Sequence, residues 1–211
     1  DHAEAAQDVA EIVSESLTLP ETPVAQKVAR LFLVSDILHN CGAPVKHASL
    51  YRAALQDRLP RVFESLEELH GRLSGRIVRE AFKRRVLAVT TAWSDWFLFA
   101  EEYVKGLEAT FLRGGVVCDG GGGGGGGDGG GGDVGAGDDD DEEEEGVKEG
   151  VKDVAALEKI RAEIEAMGPE ERKRACRAKG LVHDEGPDAC ARRLLSLERF
   201  LLRRREEAQH R

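Results

Sequence analysis

Apolar residues recur along the first half of the chain at steps of three and four, the spacing that stacks side chains on one face of a helix. Between Ala3 and Leu17 the positions Ala6, Val9, Ile12/Val13 and Ser16/Leu17 form such a stripe. Pro20 and Pro23 end it, because proline lacks an amide hydrogen and clashes with the preceding turn; Thr22-Pro23 reads as an N-cap followed by a first-turn proline. From Val24 to Leu38, the residues Val28, Leu31, Phe32, Leu33, Val34, Ile37 and Leu38 cover most of the circumference, which predicts a helix packed on several sides. Cys41-Gly42-Ala43-Pro44 then supplies a glycine for a left-handed C-cap with a proline beyond it. Ser49 is placed to cap a short helix carrying Leu50, Tyr51, Ala54 and Leu55, and after Leu59-Pro60 a second carries Val62, Phe63, Leu66 and Leu69. Ile77–Phe99 sets Val78, Phe82, Val86, Val89, Trp93 and Trp96/Phe97 on one stripe, and Glu101–Leu112 adds Tyr103/Val104, Leu107 and Phe111. No run alternates with period two over a strand's length, so the expected fold is all-α with short connections.

Beyond residue 113 the pattern stops. The window 114–150 holds most of the 25 glycines, and its 12 acids and single Lys carry −11 of the chain's net −10, which leaves the rest of the 211 residues near +1. Gly120–Gly127 and Gly129–Gly132 match a phosphate-binding glycine pattern only by redundancy. They lack the preceding strand, and they are followed by eight consecutive acids, Asp138–Glu145, that repel phosphate. The stretch reads as a flexible, self-repelling linker. Three domains are thus expected: 1–113 helical, 114–150 linker, and 151–211 a small helical unit. In the last, helices run over Val151–Met167, from Gly168-Pro169 to Lys179, and from Pro187-Asp188 onward. This unit is net +3 and carries a basic end at Arg203-Arg204-Arg205.

The four cysteines, Cys41, Cys118, Cys176 and Cys190, have no paired spacing, which argues for a reducing compartment rather than a disulfide scaffold. No apolar run approaches the roughly 18 residues a membrane span needs. Cys176, His183 and Cys190 offer three metal donors without a CxxC or HxxxH pair, and both cysteines sit at apolar helix positions, so they read as core residues and no metal is expected. Cys41 beside His39 lacks an orienting acid. With no coherent set of acid, base and nucleophile, the chain is not expected to be an enzyme, nor to hold a cofactor or a small-molecule substrate.

More informative are Asp36 and Asn40, one turn apart on the most apolar helix. They read either as ties for neighbouring backbone or as an acceptor and an amide offered to an extended peptide. Lys83-Arg84-Arg85, with Arg79 one turn before, is a basic stripe on the long helix, suited to solvent or to phosphate.

The string Lys27-Val28-Ala29-Arg30-Leu31-Phe32-Leu33-Val34-Ser35-Asp36-Ile37-Leu38-His39-Asn40, with Arg85-Val86-Leu87 and Trp93-Ser94-Asp95-Trp96 further on, resembles the CID, the RNA polymerase II C-terminal-domain interaction domain. More narrowly, Glu15–Leu19 through Phe111–Arg113 looks like the CID of SURP-motif splicing factors associated with the branch-site small nuclear ribonucleoprotein. The resemblance implies a right-handed helical superhelix of the ENTH/VHS kind, here without its first helices, as the start at Asp1 inside a helical pattern also suggests. It implies a nuclear protein of pre-mRNA splicing whose partners are the polymerase heptad-repeat peptide, spliceosomal proteins and RNA. On that basis Asp36 and Asn40 bind the β-turn of the peptide and Arg84 and Arg85 flank it. Ala88 stands where many such domains have an arginine, so only a modest preference for phosphorylated peptide is implied. Cys176–Leu181, Gly186 and Arg193-Leu194-Leu195 are similar to SAP-type nucleic-acid-binding motifs, with Pro187-Asp188 in place of the usual lysine. Phosphate contacts are then expected from Lys179, Arg192, Arg193, Arg203, Arg204 and Arg205. The rival expectation is a helical scaffold that docks a splicing partner and reads no peptide.

Overall fold

The computed structural model describes residues 5–113 and 155–209. Among these residues there are eight helices and no strand: α1 (Ala6–Thr18), α2 (Val24–Asn40), α3 (Leu50–Arg72), α4 (Arg76–Asp95), α5 (Glu101–Leu112), α6 (155–166), α7 (Pro169–Ala178) and α8 (Pro187–Gln209). The expected linker over 114–150 lies outside the described residues.

Within the first five helices, each packs on its neighbour in sequence and on the next but one, the arrangement of a stacked helical array. Its core runs from Ala10 and Leu17 through Leu31, Val34 and Leu38, then Leu59, Phe63 and Leu66, to Phe82, Val86, Val89 and Trp93. Most of these are residues that the three-and-four spacing selects, but on α1 the buried side runs Ala6, Ala10, Ser14 and Leu17, which leaves the expected stripe residue Ile12 exposed, and Val78 of α4 is exposed as well. A buried hydrogen bond from Trp93 Nε1 to Ser35 Oγ, 3.1 Å long, fixes α4 against α2.

Several boundaries differ from the sequence expectation, each for a physical reason. The two short helices around Leu59-Pro60 are one continuous helix, α3. Pro60 is buried within it and cannot donate to the carbonyl four residues back, that of Gln56; the Tyr103 hydroxyl of α5 donates to that carbonyl instead, at 2.5 Å. α4 ends at Asp95 rather than Phe99, because Phe97 takes a left-handed conformation (φ 51°) while its amide bonds to Ser94 and that of Leu98 to Trp93, closing the helix in a Schellman turn. α2 is not packed all round: Phe32 and Leu33 are about half exposed. Gly42 does not adopt the left-handed cap, since α2 ends on Cys41 in right-handed geometry. Ser49 precedes α3 as expected but makes no side-chain cap bond, and α2 opens on Pro23 without one, so Thr22 is not its cap.

The C-terminal helices build a second core of Ile164, Cys176, Leu181, Cys190, Leu194 and Leu197, and Ala109 of α5 belongs to it. α5 is therefore shared. Tyr103, Leu107 and Phe111 face the first core, while Gly106 and Ala109 receive the C-terminal unit. Gly106 is required there, since a Cβ would overlap the Lys179 carbonyl oxygen. Gly180 is required twice over: at the C-terminus of α7 it is left-handed (φ 61°), and a Cβ on it would overlap the Tyr103 carbonyl oxygen.

Candidate functional site

Asp36 and Asn40 lie on the exposed side of α2, opposite Leu31, Val34 and Leu38. The Asn40 amide donates to the Asp36 carbonyl at 2.8 Å and to Asp36 Oδ1 at 3.5 Å, so among the described residues the pair's side chains are tied to their own helical turn and to no neighbouring loop. The buried polar groups of this helix are Lys27, which donates to Ser65 of α3, and Ser35, one residue from Asp36, which takes the Trp93 indole. Sequence reasoning passed over Ser35; a small hydroxyl on the buried stripe of α2, with a tryptophan on a partner helix, was the available signal.

α2 packs directly on α4, whose basic stripe contains Arg84 and Arg85, both exposed. An open depression of about 540 Å³ on α4 is lined by Glu80, Lys83, Arg84, Leu87, Ala88 and Thr91. Arg84 and Ala88 thus share one surface and Arg85 does not contribute to it. Among the described residues no hydrogen bond or ion pair joins Asp36 or Asn40 to either arginine. Beside Asn40, the His39 ring meets Trp96 in a tilted contact, ring centroids 4.4 Å apart, and Phe97 beyond it is 88% exposed.

The six basic residues expected to contact phosphate are divided by the fold. Arg192, Arg203, Arg204 and Arg205 are exposed, with the Arg204 guanidinium 5.8 Å from the Phe200 ring centroid. Lys179 is paired with Glu198 of α8. Arg193 is turned into the protein rather than out to solvent, its side chain only 14% exposed; Nε donates to Glu64 of α3 at 3.0 Å and Nη2 to Glu185 at 2.7 Å. Burial works against the Arg193 charge, but the Glu185 and Glu64 carboxylates outweigh it and its pKa is raised. The reason for this inward placement is a charge match that the sequence does not announce. Asp57, Arg61 and Glu64 lie on one face of α3 and meet Arg177, Asp184 and Arg193 in order of opposite sign: Arg177 grips Asp57 with two bonds of 2.8 Å, and Arg61 binds Asp184 at 2.7 Å. In sequence such a stripe reads as a solvated helix face.

Cys176 and Cys190 are core residues, as their spacing predicts. Cys176 Sγ donates to the Cys190 carbonyl at 3.4 Å, and burial, with Cys190 beside it, pushes the Cys176 thiol up to about 12. A thiol so far from ionising is a poor nucleophile and a poor metal ligand at neutral pH.

Three curated proteins show what the chain is similar to. An uncharacterized protein of Schizosaccharomyces pombe is 30% identical over 80 residues, which is 38% of this chain and 17% of that protein. No protein-family model and no solved structure matches the chain. Protein RRC1-like of Arabidopsis thaliana is 54% identical over 113 residues, 54% of this chain and 12% of that protein. Protein RRC1 of the same plant is 54% identical over 116 residues, 55% of this chain and 12% of its own length. The chain thus spans about 12% of the length of the two plant proteins, and it is to these RRC1 proteins that rather more than half of it is related.

Proposed function

We propose that this chain is a non-catalytic part of a nuclear pre-mRNA splicing factor, and that its α2–α4 face docks an extended protein segment, the heptad repeat of the RNA polymerase II tail. The observation that carries the reading is the Asp36–Asn40 pair. A carboxylate and an amide stand one turn apart, exposed, bonded among the described residues to their own turn, on a helix packed against α4, which carries the exposed basic stripe. The CID resemblance supplies the class of peptide. In this reading Asp36 accepts from the backbone of a β-turn, Asn40 donates to it, and Arg84 and Arg85 meet its hydroxyls or phosphates. Ala88 leaves the depression without a cation on that turn of α4, so phosphorylation of the repeat adds little. Exposed Arg192 and Arg203–Arg205 are the groups that would contact RNA, and spliceosomal proteins are the remaining partners.

The scaffold alternative has one observation in its favour. Trp96 is 43% exposed and Phe97 is held exposed in a left-handed conformation that favours glycine, which suits an aromatic docking point for a protein partner.

A fluorescence titration of the whole chain with unmodified and phosphorylated heptad peptides tests the first reading. Bonds to a charged group contribute about 1.5–3 kcal/mol and neutral ones about 0.5–1.5 kcal/mol, so Asp36→Asn weakens binding about tenfold or more and Asn40→Ala several-fold. Ala88→Arg raises the preference for phosphopeptide. Absence of any peptide binding by a chain that keeps its near-UV dichroism leaves the scaffold reading.

A further inference from the structure

Thr22 stands in Leu19-Pro20-Glu21-Thr22-Pro23, the short crossing between α1 and α2, and it is the chain's one Ser or Thr followed by proline. Its hydroxyl does not cap α2. It is turned back toward α1, donating to the Ser16 carbonyl at 3.0 Å and accepting from Arg30 Nη1 at 3.1 Å. The same guanidinium nitrogen donates to the Ser16 carbonyl at 2.7 Å. Arg30 is thereby fixed with its charge beside a neutral hydroxyl, in a crossing whose Leu19, Pro20, Glu21 and Pro23 are exposed and whose Thr22 is partly so.

Proline-directed protein kinases select a hydroxyl residue by the proline after it, and a proline two places before strengthens the match; Pro20-Glu21-Thr22-Pro23 has both. We infer that Thr22 is a modification site for a kinase of this class and that Arg30 holds the phosphate. In the step, Thr22 Oγ1 attacks the γ-phosphorus of ATP, the bond from that phosphorus to the β–γ bridging oxygen breaks, ADP leaves with the electron pair, and the hydroxyl proton passes to the kinase's base. The ester carries a charge of about −1.5 to −2 at neutral pH.

The change in bonding has a direction. Thr22 loses its hydrogen-bond donor, so the Ser16 carbonyl keeps only Arg30, while Arg30 exchanges a neutral acceptor for phosphate oxygens in a charge-assisted bond of roughly twice the strength. α2, which begins two residues later with no side-chain cap and no acid in its first turn, gains a neighbouring anion. Phosphorylation therefore tightens the α1–α2 crossing, at the opposite end of α2 from Asp36 and Asn40. The inference is independent of what the α2–α4 face binds.

The test incubates the whole chain with ATP and a kinase of the mitogen-activated, proline-directed class, maps the product by mass spectrometry, and compares melting before and after. One phosphate is expected on Thr22, retained in Thr22→Ser and lost in Thr22→Ala. The phosphorylated chain should melt about 2–4 °C higher. The gain should vanish in Arg30→Gln and survive in part in Arg30→Lys, each variant being compared with its own unphosphorylated form. No incorporation at Thr22 of the folded chain overturns the site. An equal shift in the native protein and Arg30→Gln, or a fall in melting temperature on phosphorylation, overturns the role of Arg30.

Discussion

The Tyr103 hydroxyl donates to the Gln56 carbonyl over 2.5 Å, and that carbonyl is the one Pro60 leaves without an amide. A defect inside α3 is repaired from α5, so the same contact lets a proline sit in mid-helix and locks two helices of the array together. Burial pushes the Tyr103 phenol well above its ordinary pKa, which keeps it a donor across the working range.

A double-mutant cycle reads this coupling. Tyr103→Phe keeps the ring and removes the donor, at a cost of about 1–2 kcal/mol. In Pro60→Ala the restored amide serves Gln56, so the same Tyr103→Phe change should cost less than half as much. Urea unfolding of the four proteins measures the difference, and equal costs in both backgrounds would sink the repair argument.

Gly106→Ala is a sharp probe of how the C-terminal unit is seated. The added methyl group meets the Lys179 carbonyl, a backbone atom that cannot step aside. Overpacking of this kind costs about 1–3 kcal/mol, and here it falls on docking rather than on the first core. Hydrogen exchange should speed up across α7 and α8 while α1–α4 keep their protection. Unchanged protection in α7 and α8 would show that the seat is looser than described.

The ion pairs between α3 and the C-terminal unit should be unequal. Arg177 and Asp57 are substantially exposed, so Arg177→Ala should cost no more than about 1 kcal/mol, less in high salt. Arg193 is largely enclosed between two carboxylates, and its removal leaves Glu64 and Glu185 facing each other; Arg193→Ala should cost about 3 kcal/mol or more. Chemical denaturation at low and high salt gives both numbers, and similar costs for the two variants would contradict the burial argument.

His70 predicts a pH dependence. Its ring lies 6.3 Å from Phe82 and 5.5 Å from Phe111 between centroids, and its buried Nε2 has no hydrogen-bond partner among the described residues. Burial first, then the charges of Lys83 and Arg79, lower its pKa below the ordinary imidazole value. The unfolded chain therefore binds the proton more tightly. The His70 contribution to stability is intact above about pH 6.5, the unfolded value, and declines as pH falls from there toward the lower folded value. Comparing urea midpoints at pH 7.5 and 5.5, His70→Phe should lose less than the native protein; an equal loss assigns the effect to other groups.

The sequence by itself determined the helical class and most residues of the first core. Periodicity is a local property, and Leu31, Val34, Phe63, Leu66, Val86 and Trp93 announce their buried faces through spacing alone. It also marked Cys176 and Cys190 as interior, and it picked out Asp36 and Asn40 as polar residues on an apolar helix, though not their exposure. What the tertiary structure decided are the partners of groups whose local environment is ambiguous. Pro60 reads as a helix breaker until Tyr103 arrives from 43 residues further on at the Gln56 carbonyl. Thr22 reads as a cap until Arg30 and Ser16 take its hydroxyl. Arg193 reads as a phosphate ligand, and Asp57, Arg61 and Glu64 read as a solvated stripe, until the C-terminal unit brings opposite charges from more than a hundred residues away. Charge and hydrogen-bonding capacity are written in each residue, but the group that satisfies them is chosen by the packing of distant helices, which leaves no periodic trace in the chain.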